Sequence, residues 1–485
     1  MKKMVRNLEP NALWNHFADL NEVPRASKKE ERVIAFMMEF GKSLGLETIQ
    51  DHIGNVVIKK PATAGMENRQ TIVMQSHLDM VHQKNSETIF DFDEQGIDMI
   101  VDGDWVRANG TTLGADNGIG VATIMAILKS TDIAHPAIEA LFTIDEETGM
   151  TGALQVDASN ISGTILLNLD TEDDDELSIG CAGGIDTNTT AEITYEDLPN
   201  NYLCIEIRLR GLLGGHSGMD IHLGRGNANK WMNRFLHHVM SVVDVRLCSL
   251  DGGSLRNAIP RESTAVIAIS KDEKTQFHQA AEEIIAQIKA EFHTIEQDAS
   301  WTVSETADLS RVVKHVDFER IVNSIYAVHN GVFRMSPSIP GLVEASSSLA
   351  KVTVGDGKFT TQSLQRSSVD SSKMDVANTI RAAFESVGVA VVQNGEYPGW
   401  EPNADSAILN IMADLYREKF NAEPNIKACH AGLECGILGK HFPGMDMISF
   451  GPNIRGAHSP DECVQISSVQ KFWDYLLEVL KRIPA

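Results

Sequence analysis

Five short segments, far apart in the chain, carry histidines and carboxylates where strands should end or helices begin. They are Ser76-His77-Leu78-Asp79, Gly114-Ala115-Asp116-Asn117, Asp145-Glu146-Glu147, Leu169-Asp170 and Ala457-His458-Ser459. Nitrogen and oxygen donors without a cysteine suit a pair of divalent cations such as zinc. Two adjacent cations activate water and polarise a carbonyl.

Each segment has its own logic. His77 and Asp79 form H-x-D, and at a strand end both side chains point to one face. The histidine can bind metal while the aspartate orients it. On its own such a pair is usually structural, and His82 is a rival ligand beyond the strand end. Asp116 stands between Gly114 and Gly118 at a turn-to-helix junction. It reads either as an N-cap or as a carboxylate shared by two cations, and sharing is favoured; the helix N-terminus behind it helps keep it ionised. Asp145-Glu146-Glu147 follows the apolar run Ala140–Ile144. Successive residues there point in different directions, so one acid binds metal while the next faces the water to be deprotonated. The residues alone do not assign those roles. Asp170 closes the apolar run 165–169, and the acids from Glu172 to Glu176 read as a solvated loop. His458 follows a strand and a Gly-Pro turn and would complete the ligand set of the second metal. Gly214-Gly215-His216-Ser217-Gly218 reads as a tight or mobile loop presenting a histidine, with an ordinary turn histidine as the plain alternative. No H-E-x-x-H, G-x-S-x-G, Walker A or Rossmann pattern occurs.

The elements that must position these groups alternate helix and strand. Ser27-Lys28-Lys29-Glu30 reads as a capping box. Behind it Val33, Ile34, Met37, Phe40 and Leu44 recur at helical spacing up to Gly45. Strands are expected at 71–74, 138–144, 165–169 and 445–450, and a helix over 117–129. In open α/β sheets ligands bind beyond the carboxyl ends of strands, where these groups fall. The middle of the chain changes character. Strands at 202–209 and 263–269, helices at 227–243 and 274–292, a strand pair at 350–354 and 360–364, and a helix at 371–387 suggest an inserted α+β domain. The expected division is 1–186 and 398–485 for the catalytic domain and 187–397 for the insert. Segment 295–348 has weak periodicity and reads as an elaboration of the insert.

Composition narrows the partners. The chain has 485 residues, 42% of them hydrophobic, with 42 basic against 67 acidic residues and a net charge of −25. Such a field disfavours nucleic acid and anionic membrane. No run of about 18 apolar residues occurs, so no membrane span is expected. Lys2 and Lys3 are followed by no apolar stretch, so no signal peptide is expected. Cysteines 181, 204, 248, 429, 435 and 463 form no C-x-x-C pair and read as reduced thiols in the cytosol.

Longer stretches carry a family resemblance: 60–69 (KPATAGMENR), 110–118 (GTTLGADNG), 180–184 (GCAGG), 255–262 (LRNAIPRE) and 430–436 (HAGLECG). From end to end the chain resembles the M20 metallopeptidases, and within them the aminoacyl-histidine dipeptidases. The resemblance implies an α/β, di-zinc exopeptidase-like catalytic domain with a mixed, mostly parallel sheet, plus an inserted ferredoxin-like α+β lid. It implies two Zn2+, with Co2+ or Mn2+ able to substitute. His77 and Asp170 would bind one cation, Glu147 and His458 the other, and Asp116 would bridge. Asp79 would orient His77, and Glu146 would be the general base toward a metal-bridged water. His216 would steady the oxyanion when the lid closes, in some members from the partner subunit. Asn257 and Arg366 would hold the substrate carboxylate. The implied activity is hydrolysis of Xaa-His and other unblocked dipeptides, including β-alanyl-histidine, by a homodimer.

The chain departs from the family pattern at Ser76, His82, Asp145 and Thr148. Asp145, beside the base, is expected to raise its pKa. The competing readings are an N-acyl-amino-acid deacylase, an aminopeptidase on longer peptides, and a non-catalytic scaffold. The last is disfavoured because Glu146 and every proposed ligand are present.

Overall fold

A computed structural model describes residues 5–307 and 309–485; Met1–Met4, which open the basic N-terminal stretch, and Asp308 lie outside it. The chain divides into two units. One comprises the stretch up to Gly180 with Trp400–Ala428 and Leu433–Ala485. The other comprises Cys181–Gly399 and Cys429–Gly432.

The first unit is built on an eight-stranded sheet. Its strand order is Glu47–Gln50, Val56–Lys60, Ile138–Thr143, Ile72–His77, Ile165–Asn168, Asp446–Ser449, Glu176–Cys181 and Asn425–Cys429. The four strands from Ile138–Thr143 to Asp446–Ser449 run parallel. Antiparallel pairs flank them. Parallel strands covered on both faces read as continuous apolar runs rather than alternations. Accordingly Ile72–His77, Ile138–Thr143 and Ile165–Asn168 are buried at every position. The helix Ala115–Lys129 is buried almost throughout and carries small and branched apolar residues all round. Gln75 pairs with both Leu141 and Asn168, and His77 with Thr143. Three strands therefore finish at one level, and the residues just beyond them emerge along one edge.

The expected capping box is not formed. Helix Glu31–Ser43 starts after Glu30 with no side-chain cap. Ser27 instead donates its hydroxyl to Asp79 at 2.8 Å. The Glu30 carboxylate accepts the N–H groups of Lys28 at 2.8 Å and Asp145 at 3.1 Å. Buried Asp79 and the Asp145 turn need those partners more than a helix end open to water does.

The second unit carries an antiparallel sheet. Its order is Ser300–Glu305, Tyr202–Arg210, Ser263–Ser270, Val245–Gly252, Val343–Gly355, Lys358–Ser367, Gly183–Glu192 and Ala390–Tyr397. Gly331–Met335 pairs with Val343–Gly355 off this path. Helices Ala228–Met240, Lys274–Phe292, His315–Ala327 and Asp370–Glu385 share its core through Trp231, Phe235, Phe277, Phe318 and Phe384. Segment 295–348 holds three short strands, the helix His315–Ala327 and the start of a fourth strand. Exposed positions in Ser300–Glu305 and Gly331–Met335 explain its weak periodicity. No helix among the described residues is long and apolar enough to cross a membrane. No disulfide joins cysteines among the described residues.

A buried imidazole makes the first unit acid-sensitive. His16 is 6% exposed and packs edge-on to Phe40 at 5.5 Å. Burial, helped by Lys129, holds its pKa down to about 4. The unfolded chain protonates this group near pH 6.5, so stability present above that pH is lost as pH falls toward 4. At pH 5 the loss is on the order of 1–2 kcal/mol. Thermal unfolding of chelated protein should show wild type losing ground to H16F between pH 7 and pH 5. A Tm difference that does not change with pH would refute this.

Candidate active site

The five residues named as ligands come together in the first unit. His77 is almost fully buried, with Nε2 3.2 Å from Asp116 Oδ1 and 3.6 Å from Asp170 Oδ1. His458 Nε2 lies 3.2 Å from Asp116 Oδ2 and 2.9 Å from Glu147 Oε2. Each oxygen of Asp116 thus faces a different histidine. Three sets of donor atoms each lie within 4.8 Å of one another: His77, Asp116 and Asp170; Asp116, Glu147 and His458; His77, Glu146 and Glu147. Glu147 Oε1 is buried without a hydrogen-bond partner. Two nitrogen-oxygen sets sharing one carboxylate, with an orphaned oxygen among them, fit a pair of divalent cations. His82 is exposed against Phe92 and belongs to none of the sets.

Asp79 ties these groups together. It is fully buried, and Oδ1 lies 3.4 Å from His77 Nδ1. It accepts the backbone N–H groups of Glu146 at 3.0 Å and Glu147 at 3.3 Å. One carboxylate therefore braces the imidazole and the turn bearing the two glutamates. Asp145 opens that turn with φ +52° and accepts the hydroxyls of Thr148 and Thr151. Asp116 is not an N-cap, since no side chain caps its helix. Asn117, joined to it by a cis peptide bond, donates to Asp170 at 2.5 Å and to the Leu169 carbonyl at 2.6 Å.

The remaining predicted residues lie in the second unit. His216 stands in a short strand, Gly215–His216, paired with Ala258–Ile259. Its Nδ1 accepts the N–H groups of Gly218 at 3.2 Å and Met219 at 2.9 Å. That assigns the ring proton to Nε2. Burial, followed by the nearby Arg366 charge, lowers its pKa to about 4, so it is neutral at pH 7. Arg366 Nη2 is 3.5 Å from His216 Nε2. Asn257 adjoins the same hairpin, its carbonyl accepting the Ser217 N–H at 2.8 Å, and its side chain is exposed.

Residues 73–482 match the family model described as Peptidase family M20/M25/M40. The chain belongs to that family. It is 40% identical over 481 residues, 99% of either chain, to the cytosol non-specific dipeptidase of Escherichia coli (strain K12). Its structure is similar to that of aminoacylhistidine dipeptidase from Vibrio alginolyticus, with a TM-score of 0.94, 43% identity, and 100% of this chain and 99% of that one covered. It also shares a fold with an aminopeptidase from Bacillus cereus ATCC 10987, at a TM-score of 0.57, 15% identity and coverage of 98% and 99%. The mixed sheet and the separate antiparallel sheet are the architecture of an M20 catalytic domain and its lid. This chain is thus an M20 hydrolase.

Sequence reasoning missed three buried groups of this M20 site. Glu462 accepts four backbone N–H groups, from Leu113 at 2.7, Gly114 at 2.9, Ala115 at 2.7 and Asp116 at 3.2 Å. Arg25 donates to the carbonyls of Leu78 at 3.1, Asp79 at 3.1 and Gly114 at 2.5 Å. Together they hold the Asp116 loop from its donor and acceptor sides. A carboxylate four residues after His458 was a visible signal for Glu462; nothing local marked Arg25. Glu434 accepts from Gln75 at 2.6 Å and Thr143 at 2.7 Å, and burial pushes its pKa up to about 7. The acids after Asp170 also differ from a merely solvated loop. Asp173 pairs with Arg455 at 2.7 Å, Asp174 with Lys471 at 2.7 Å and Glu176 with Lys427 at 3.2 Å.

Burial raises the pKa of Glu146 and of Asp170 well above the carboxylate range, reinforced by neighbouring acids and opposed by His77. Asp145 is not among the main influences on Glu146, whose raised pKa stems first from desolvation. Hydrogen bonds to Asp116 and Glu147 raise His458 to about 11. Burial opposes charge on His77, yet Asp170, Asp116 and Asp79 outweigh it and raise its pKa as well. Without cations both imidazoles therefore hold protons at neutral pH. Cations bind the neutral rings, so loading must expel those protons. Zinc titrated calorimetrically at pH 7.5 into chelated protein should give heats that depend on the buffer's ionisation enthalpy. H458A should release about one proton fewer. Buffer-independent heats would contradict this electrostatic picture.

Proposed function

We propose that this M20 enzyme is a di-metal dipeptidase that hydrolyses Xaa-His and other unblocked dipeptides, including β-alanyl-histidine. The observation that carries the proposal is Asp116, shared by two donor sets in a chain 40% identical along its length to a cytosol non-specific dipeptidase. The 43% identical aminoacylhistidine dipeptidase supports the Xaa-His preference. His77 and Asp170 would hold one cation, Glu147 and His458 the other, with Asp116 common to both. The nitrogen and oxygen donors suit zinc, with cobalt or manganese able to substitute. When bound, such ions polarise the scissile carbonyl and lower the pKa of a water.

The chain's own groups do the rest. Glu146 takes the proton of the attacking water at its carboxylate and passes it to the leaving amine. A base whose pKa burial has raised suits both halves of that transfer. Asp79 holds His77 and the Glu146–Glu147 turn in fixed relation. His216 is neutral with its proton on Nε2, and so donates to a developing oxyanion. Arg366, with Asn257, receives the free carboxylate of the substrate. Movement of the lid, made of 187–397, over the catalytic parts 1–186 and 398–485 would exclude bulk water. The name of the Escherichia coli relative supports a cytosolic location. A homodimer belongs to the same proposal.

Glu146→Gln separates the base from the ligands. Zinc content should match wild type while kcat on Ala-His falls about 10²–10⁴-fold. Near-normal turnover at full metal content would remove Glu146 from its role. Comparing Ala-His, N-acetyl-Ala-His and a tetrapeptide separates a dipeptidase from a deacylase or an aminopeptidase; preference for either of the last two would overturn the assignment.

A further inference from the structure

We propose that Tyr397 is a second donor in the carboxylate receptor built on Arg366, and that Gly184 lacks a side chain so that Tyr397 can reach it. The proposal rests on the dipeptidase reading and deepens it.

Arg366 is only 4% exposed, and its Nε is buried without a partner. Among the described residues no carboxylate lies within ion-pair distance of it. Asp186, which feels the Arg366 charge, has Arg256 as its ion-pair partner. His430, which bonds Ser346 at 2.8 Å, offers no negative charge. A desolvated guanidinium without a counter-ion is costly, and that cost is recovered only when an anion arrives.

Tyr397 adds the second donor. Arg366 Nη1 donates to Tyr397 Oη at 2.9 Å. The phenol oxygen is thereby the acceptor, and its own hydrogen has no acceptor among the described residues. Tyr397 is half-buried. A guanidinium and an O–H lie side by side, and neither forms an ion pair or donates to a carboxylate among the described residues. A carboxylate, with two oxygens to fill, matches that pair.

The ladder explains how the tyrosine gets there. Gly184 pairs with Arg366 on one side and with Tyr397 on the other. The tyrosine must cross the intervening strand to touch the arginine. A Cβ at Gly184 would stand 2.6 Å from Cε1, Cζ and Oη of Tyr397. Only a residue without a side chain leaves that path open. This gives a physical reason for the second glycine of the pair in 180–184 (GCAGG), which the catalytic groups do not use.

The test uses full-length, zinc-loaded protein with KM and kcat for Ala-His. The C-terminal amide of Ala-His is measured alongside as a competitor, so that its own turnover does not matter. Y397F should raise KM about tenfold, as expected for losing a hydrogen bond to a charged group, with kcat falling far less. Its Ki for the amide should move less than twofold. G184A, which leaves the hydroxyl present but displaces it, should reproduce the same split. An unchanged KM in Y397F, a loss confined to kcat, or equal weakening of acid and amide would overturn the assignment. R366A keeps the two levels apart. If R366A leaves KM unchanged, the carboxylate reading itself has failed. If R366A raises KM and Y397F does not, only the tyrosine is wrong. Failure of the wild-type enzyme to cleave Ala-His would sink the reading beneath both.

Discussion

Too many carboxylates surround one aspartate for the site to be stable as an array of anions. Asp116, Glu146, Glu147 and Asp170 lie within a few ångströms of two histidines, in surroundings that penalise charge. Without cations the arrangement borrows protons, on the imidazoles and on the buried acids. With them, the same donors would become a coordination shell. The fold is organised around holding that frustrated cluster. Parallel strands end at one level, Asp79 joins His77 to the glutamate turn, and Glu462 with Arg25 fixes the Asp116 loop by its backbone. The repulsion that makes the cluster costly is what would give it affinity for metal in the proposed mechanism.

The second unit shows the complementary condition. There, donors gather without a carboxylate within ion-pair distance of the guanidinium: the Nε2–H of His216, the Arg366 guanidinium and the Tyr397 hydroxyl. In the proposed mechanism the metal ligands and the base belong to the first unit, and the carboxylate-binding groups to the second.

Much of this was legible in the sequence because apolar runs and punctuation were strong. Buried parallel strands such as 138–143 and 165–168 appear as uninterrupted apolar stretches, and helix Lys274–Phe292 has the bounds its periodicity suggests. Boundaries slipped where tertiary partners prolong an element. The strand pair expected at 350–354 and 360–364 extends to Val343–Gly355 and Lys358–Ser367 because neighbouring strands continue the ladder. Ser27 misled because its hydroxyl serves Asp79, 52 residues away in the chain, rather than the adjacent helix. At the site, ligand types were readable from strand-end position. The division of labour among Asp145, Glu146 and Glu147 was not, since it depends on a turn with positive φ that points each acid differently. Arg25, Glu434 and Tyr397 carried no local signal, because each acts through partners that only the folded chain brings near.

The central claim is that Asp116 is shared by two cations in the working enzyme. Anomalous diffraction at the zinc edge, on crystals of protein assayed as fully active, tests it directly. Two peaks should appear, each about 2.0–2.2 Å from a different oxygen of Asp116, one flanked by His77 and Asp170 and the other by Glu147 and His458. A single peak, or none, in fully active protein would contradict it.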